Sequence, residues 1–343
     1  MLTEIDTVLK VALAGGATTS DQMAAAIGAL MDGQADPVEI SALLTALAVR
    51  GETALEIAGA AAAMRARATR IPAMTPGLLD TCGTGGDQLH TFNISTAAAI
   101  VSAAAGVPVA KHGNRQASSK SGSADVLEAL GVDITLSPEA VAQCIDEIGI
   151  GFCFARLVHL AMQHVAPVRQ KLGIRTIFNL LGPLTNPAGA EYQLLGTNRV
   201  ATARKLAIAK SQLGGTRTLV VCGADQLDEV SLWGTTTAFD VQGSQIEERR
   251  WTASDMGLPE CTPEDLVVGS PSESAAVIRE VFAGRSGPAR NIVLANAGAA
   301  LFTAGRSEGL LEAVELAAQA IDTGAAQQKL ESLILFSQNR AKL

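Results

Sequence analysis

The order of apolar and polar positions changes character near residue 70. Before it the spacing is helical. Ile5, Val8, Leu9 and Leu13 recur at three and four residues, and Gly15-Gly16 stop the run. Ser20 is read as the cap of a second helix ending near Gly33. Asp36-Pro37 gives a third helix its cap and first-turn proline, and Gly51 follows its end. Thr53 opens a fourth, alanine-rich helix reaching about Thr69. Beyond Ile71-Pro72 short apolar runs at 78–82, 107–111, 150–155, 193–196 and 219–223 alternate with helical stretches, and the tail from Ser272 is largely helical. Strands alternating with helices predict a mostly parallel sheet covered by helices. The expected fold class is α/β: a small all-helical N-terminal domain (1–70) and a larger α/β domain (71–343) whose mostly parallel central sheet is flanked by helices.

Composition narrows the function. A chain of 343 residues with 48% apolar positions supports a large core, and its length suits two domains. Acidic residues outnumber basic ones, 34 to 26, which argues against nucleic acid as a partner. The five cysteines form no C-x-x-C pair and suit reduced thiols in the cytosol. The apolar stretch 97–110 is interrupted by Ser102, Gly106 and Pro108 and is too short for a bilayer, which needs about 20 residues. The opening MLTEIDTVLK has an acidic start and no apolar core, so it does not read as a signal peptide. A soluble, cytoplasmic protein without membrane partners is expected.

Three segments carry chemistry. The first, Asp80-Thr81-Cys82-Gly83-Thr84-Gly85-Gly86-Asp87, is the end of a strand followed by a glycine loop. Glycines let backbone N–H groups approach a phosphate with no Cβ in the way. Alone, the loop reads equally well as a tight turn. Asn93-Ile94-Ser95-Thr96 then opens a helix, with Ser95 or Thr96 as its cap, and a helix N-terminus favours anions. The second segment runs from Lys111 through His112, Gly113, Asn114, Arg115, Gln116, Ala117, Ser118, Ser119 and Lys120 to Ser123 and Asp125, with no apolar residue larger than alanine between its ends. Lysine, arginine and free amides at the carboxyl end of a strand suit a multivalent anion. The third is Asp228-Glu229, after the strand at 219–223. By itself an Asp-Glu pair is usually a solvated turn; beside a phosphate pocket it suggests Mg²⁺.

Together these segments resemble the anthranilate phosphoribosyltransferase family. They stand here as GTGGD at 83–87, N-x-S-T at 93–96, KHGNR at 111–115, SSKSGSAD at 118–125 and the later Asp228-Glu229, joined by HVAPVR at 164–169 and RTIFNLLGPL at 175–184. The resemblance runs along nearly the whole chain. It implies a homodimer whose N-terminal helices are joined in space by helices around 165–185. It also implies transfer of phosphoribose from 5-phosphoribosyl 1-diphosphate to anthranilate, with two Mg²⁺ per subunit. On this resemblance the donor contacts are Gly83, Gly86, Asp87, Thr91, Asn93, Ile94, Ser95, Thr96, Lys111 to Ser119, and Ser123. Ser95 and Glu229 would hold one Mg²⁺, and Asp228 with Glu229 the other. Gly83, Asn114 and Arg169 match acceptor contacts, while His112, His159 and Pro183 match residues lining the acceptor channel. His112 is open to two readings, a base or a neutral lining residue. Arg156, Leu160, Gln163 and Gln88 depart from the family's usual residues. The rival reading is a pyrimidine nucleoside phosphorylase of similar fold; the KHGNR loop and Arg169 oppose it, since a nucleoside base carries no carboxylate.

Overall fold

The computed structural model describes residues 2–115 and 122–340. Four helices open the chain: α1 (Thr3–Leu13), α2 (Ser20–Met31), α3 (Pro37–Arg50) and α4 (Ala54–Ala66). Reciprocal caps start the last three, pairing Thr19 with Gln22, Asp36 with Glu39 and Thr53 with Glu56. The cap of α2 is thus Thr19 rather than Ser20, because only Thr19 has a glutamine three residues on to return the bond. Helix α4 stops before Thr69. Arg67 turns back to hold Asp32 through two bonds of 2.6 Å, and Thr69 N donates to Val158 O at 2.8 Å.

Seven strands form one sheet in the order β3-β2-β1-β4-β5-β6-β7. Strands β1 (Leu79–Gly83), β2 (Val109–Gly113), β3 (Ile150–Phe154), β4 (Tyr192–Gly196) and β5 (Arg217–Cys222) are parallel. Strands β6 (Thr236–Gln242) and β7 (Gln245–Trp251) add an antiparallel hairpin that lies outside the expected strands. Its outer strand reads QIEERRW and is mostly exposed, so the alternation that marks a half-buried strand is missing. From β1 the chain builds outward to β2 and β3, then returns to lay β4 on the opposite side. The crevice between the carboxyl ends of β1 and β4 is therefore the switch point where ligands bind in such sheets.

The remaining helices are α5 (Ile94–Ala104), α6 (Ser123–Leu130), α7 (Pro138–Ile148), α8 (Ala155–Val158), α9 (Ala166–Leu172), α10 (Phe178–Leu181), α11 (Val200–Leu213), α12 (Pro271–Phe282), α13 (Pro288–Thr303), α14 (Leu310–Asp322) and α15 (Ala325–Arg340). Alternate strand residues feed two large cores and a small third cluster that holds Ala110 and Cys153. Leu194, Leu219 and Val221 join α5 and α12 to α15 on one face. Leu195, Val220 and Phe239 join α1 to α4 and α11 on the other. Val165, Val168, Phe178 and Leu181 belong to that second core, so the N-terminal helices have no closed core of their own. All five cysteines are free, and no described helix is long and apolar enough to cross a membrane.

Candidate functional site

The crevice between β1 and β4 is floored by two glycines in register, Gly83 and Gly196. A Cβ on either would collide with Asp228, on its carboxylate from Gly83 and on its backbone from Gly196. Glycine here is a packing requirement that brings the acidic pair against the glycine turn. Gly85 N donates to Asp228 Oδ2 at 2.7 Å. The turn is braced from behind: Asn198 Nδ2 donates to Gly86 O at 2.8 Å, Arg175 Nη1 to Gly85 O at 3.3 Å, and Thr84 N to Gly196 O at 2.9 Å.

Helix α5 begins at Ile94. Its cap is Asn93, whose Oδ1 accepts from Thr96 N at 3.1 Å and from the Thr96 hydroxyl. This corrects the reading of Ser95 or Thr96 as the cap. Asparagine takes the capping bond, and the Ser95 hydroxyl is left free to face the site. Ile94 and Thr96 are buried in the core, so only their backbone can meet a ligand. Thr91 bridges to Val267, and Asn93 N donates to Ser274 Oγ at 2.9 Å; both fix the loop that enters α5.

Lys111 joins these parts. It is buried, and its Nζ donates to Thr81 O at 2.6 Å and to Ser95 Oγ at 3.3 Å. Burial pulls its pKa down, opposed by the charges of Asp80 and Glu229. Asp228 is pushed up to about 7 by burial and then by Asp87. Glu229 is raised by burial and by Asp228, against Lys111 and the backbone N–H of Ser95. Four carboxylates, Asp80, Asp87, Asp228 and Glu229, thus crowd one ammonium, a deficit of positive charge that a divalent cation would correct. Among the described residues no three His, Cys, Asp or Glu ligands surround a single point. An ion held here must draw further oxygens from phosphate and water, which is the habit of Mg²⁺.

The polar loop is shorter than the sequence suggests. Residues 111–113 extend β2 and Ser123 already begins α6, because Lys111 and His112 pair with β3 along the sheet rather than looping out. Gln116, Ala117, Ser118 and Ser119 lie outside the described residues. The Arg115 guanidinium is engaged by Asp125 at 2.9 Å and Glu128 at 2.5 Å, which raises its pKa and ties the loop to α6. Asn114 is exposed beside it, and Asn114 O accepts from Ala124 N at 3.3 Å and Ser123 Oγ at 3.4 Å. A Cβ on Gly113 would meet Ser123 and Phe152.

Of the residues expected near the acceptor, His112, His159 and the Gly182-Pro183 turn come together. His112 Nδ1 lies 3.0 Å from Gly182 O, and its Nε2 lies 3.2 Å from His159 Nε2. Pro183, next to Gly182, is buried. Arg169 is half-buried, stacks over the Phe178 ring at 5.3 Å, and reaches Asn179 Oδ1 at 3.4 Å. Burial lowers its pKa, and no carboxylate among the described residues pairs with it.

Residues 75–327 match the model of the glycosyl transferase family a/b domain, and residues 7–68 match that family's helical bundle domain. An anthranilate phosphoribosyltransferase from Symbiobacterium thermophilum is 49% identical over 319 residues, covering 93% of this chain and 94% of the relative. This chain belongs to the anthranilate phosphoribosyltransferase family. A solved anthranilate phosphoribosyltransferase from Thermus thermophilus superposes with a TM-score of 0.90 at 44% identity, over 96% of this chain and 99% of that one. Another, from Saccharomyces cerevisiae in complex with PRPP and Mg, gives 0.91 at 28% identity, over 99% of both chains. These comparisons favour the phosphoribosyltransferase reading over the nucleoside phosphorylase.

Within the anthranilate phosphoribosyltransferase fold the unusual residues have plain physical readings. Gln88 sits at φ +63, a left-handed conformation that a glycine adopts without strain. Arg156, Leu160 and Gln163 are exposed, while His159 between them is buried. The motif reading missed Asp80. It is fully buried, accepts from His112 N at 3.0 Å, and faces Cys82 and Gln193 at 3.4 Å; burial raises its pKa. A lone acid inside an apolar strand was the available signal.

The two histidines also set a pH dependence. Burial lowers His112 to about 4 and, with the His112 field added, His159 to about 3. An unfolded histidine titrates near 6.5. The folded state therefore resists protonation, so stability is intact above about pH 6.5 and falls as pH drops toward about 4. For His112 the loss is on the order of 3 kcal/mol. His112→Asn is expected to melt with a shallower acid slope than wild type across that window, measured by thermal unfolding against pH; equal slopes would contradict it.

Proposed function

We propose that this chain transfers the phosphoribosyl group of 5-phosphoribosyl 1-diphosphate to the amine of anthranilate. The products are N-(5-phosphoribosyl)anthranilate and diphosphate, and the step serves tryptophan biosynthesis. What supports this is the meeting of the glycine turn, Lys111, Ser95 and the Asp228-Glu229 pair at one crevice, joined by the bonds from Gly85 to Asp228 and from Lys111 to Ser95. We infer that residues 71–343 supply the donor site and residues 1–70, with 165–185, one wall of the acceptor site. Two copies of the chain form the working dimer.

In this reading Gly83, Gly86, Asp87, Thr91 and Asn93 to Thr96 cradle the donor phosphates, and Lys111 to Ser119 and Ser123 are further donor contacts. Ser95, Asp228 and Glu229 hold two Mg²⁺ ions, which when bound neutralise the charge that gathers on the departing diphosphate. Lys111 adds a fixed positive charge in a desolvated place, where it acts more strongly than in water. Gly83 and Asn114 border the acceptor, Pro183 packs along it, and Arg169 takes the acceptor carboxylate. A half-buried guanidinium without a carboxylate partner among the described residues is suited to that task. The amine must then be held in line with C1 of the ribose for attack.

Anthranilate fluorescence is expected to decay only when the diphosphate donor and Mg²⁺ are both present; decay without the donor, or none with everything present, overturns the reading. Arg169→Ala is expected to raise the acceptor KM by a factor matching about 1.5–3 kcal/mol for a lost charged hydrogen bond. The donor KM should hold. An impaired donor KM with a normal acceptor KM would show the roles crossed.

A further inference from the structure

Hydrogen-bond polarity around the two buried histidines fixes their protons. Gly182 O can only accept, so His112 Nδ1, 3.0 Å away, carries a proton. Burial keeps the His112 ring neutral near pH 7, which makes its Nε2 a lone pair. That lone pair lies 3.2 Å from His159 Nε2 and needs a donor, so the neutral His159 ring carries its proton on Nε2. His159 Nδ1 is left as a bare acceptor, buried and with no hydrogen-bond partner. An unmet acceptor inside a protein is costly and points to a missing donor. Both nitrogens of His112 are engaged, so it has no lone pair to offer a substrate. His112 is a positioning residue, and the base suggested by its motif must be sought one ring further on.

We propose that His159 Nδ1 receives the aromatic amine of the acceptor, taking one N–H as a hydrogen bond and then as a proton. This takes the acceptor to be anthranilate, as proposed above. His159 opens the turn 160–164 that leads directly into α9, which bears Arg169. With Arg169 taking the acceptor carboxylate as proposed above, His159 takes the adjacent amine of the same small ring. The hydrogen bond aims the nitrogen lone pair at C1 of the ribose. The amine pair forms the C1–N bond, the C1–O bond breaks, and its pair leaves on the diphosphate. The N–H proton passes to Nδ1, and the imidazolium gives it up to the diphosphate or to water as products depart. No further reactant is required.

Two measurements test the assignment. Nitrogen-15 NMR of histidine-labelled wild-type protein near neutral pH reads the tautomers, with His159→Gln identifying the His159 signals among the four histidines. His159 Nδ1 is expected as an unprotonated nitrogen that shifts on adding anthranilate and stays put on adding benzoate, which has the carboxylate and no amine. In steady-state kinetics His159→Gln keeps a group near the Nε2 position and loses the acceptor. Its kcat is expected to fall about 10²-fold, the usual contribution of a general base, with the donor KM unchanged. His159→Asn, which places a carboxamide near the Nδ1 position, should recover part of that loss. A protonated Nδ1, an Nδ1 signal that anthranilate leaves unmoved while binding, or a wild-type kcat in His159→Gln overturns the assignment and spares the proposed function. If anthranilate neither binds nor turns over in wild type, the proposed function falls and this assignment with it.

Discussion

Glu229→Gln is expected to lower kcat by about 10²–10³-fold, the scale seen when one preorganised electrostatic partner of a transition state is removed, while the folded protein melts no lower than wild type. Glu229 is half-buried beside Asp228, and its field reaches Lys111. The carboxamide keeps the shape and the bond from Ser95 N–H, and it removes one carboxylate from the crowded group. Folding gains from that loss of repulsion. The transition state loses an anionic ligand for the cation on the leaving group. Three readings check this: kcat at saturating Mg²⁺, the melting temperature without Mg²⁺, and the rise in melting temperature on adding it. Wild type should be stabilised by Mg²⁺ increasingly as its concentration rises above the dissociation constant, and the variant far less. An unchanged kcat would remove Glu229 from the metal-binding role.

The largest loss of stability is expected far from the crevice, at Glu56→Ala. Glu56 is completely buried at the start of α4. Its Oε1 accepts from Thr18 N and Thr18 Oγ1, both at 2.9 Å, and its Oε2 from Thr53 N at 2.9 Å and Thr53 Oγ1 at 3.0 Å. Arg50, itself mostly buried, closes the pair. Burial pushes the Glu56 carboxyl up, but the bonds from Thr18, Thr53 and Arg50 outweigh it and hold the group below its ordinary value. Alanine leaves the Arg50 charge and four donors without their acceptor, a loss of about 3–5 kcal/mol for one partner of a buried pair. The midpoint of urea unfolding measures it. Since the folded pKa is lowered, this stabilisation is present at neutral pH and fades as acid carries the group through that value. The Glu56→Ala deficit should therefore shrink in acid, and a deficit independent of pH would show that packing, rather than charge, is what the mutation removes.

The sequence by itself determined much of this. Helix starts were legible at Asp36, where proline follows the cap, and at Thr53, but at α2 two adjacent hydroxyl residues qualify by type and only the folded geometry gives the cap to Thr19. The parallel strands were legible because a strand buried on both faces is a continuous apolar run, as at 219–222. The chemical character of the site was legible too, since glycine loops, a lysine-led polar stretch and paired acids have few other uses in company. The hairpin of β6 and β7 was not, because one edge strand has charged residues where a buried strand would have apolar ones. Nor was the true cap of α5, where Asn93, Ser95 and Thr96 all qualify by type and only the folded geometry gives the bond to Asn93.

Tertiary structure alone decided the charge states. Asp80, Lys111, Asp87, Asp228 and Glu229 span about 150 positions of chain, and no local pattern says that they share one field. Their shifts come from burial and from neighbours brought close by the parallel pairing of β1 with β2 and β4. The same holds for the histidines. Residue type allows either ring to be a base, and only the order carbonyl, His112, His159 leaves one lone pair open. Residue types are written in the chain, but a proton goes where distances between remote atoms send it, and those distances exist only after folding.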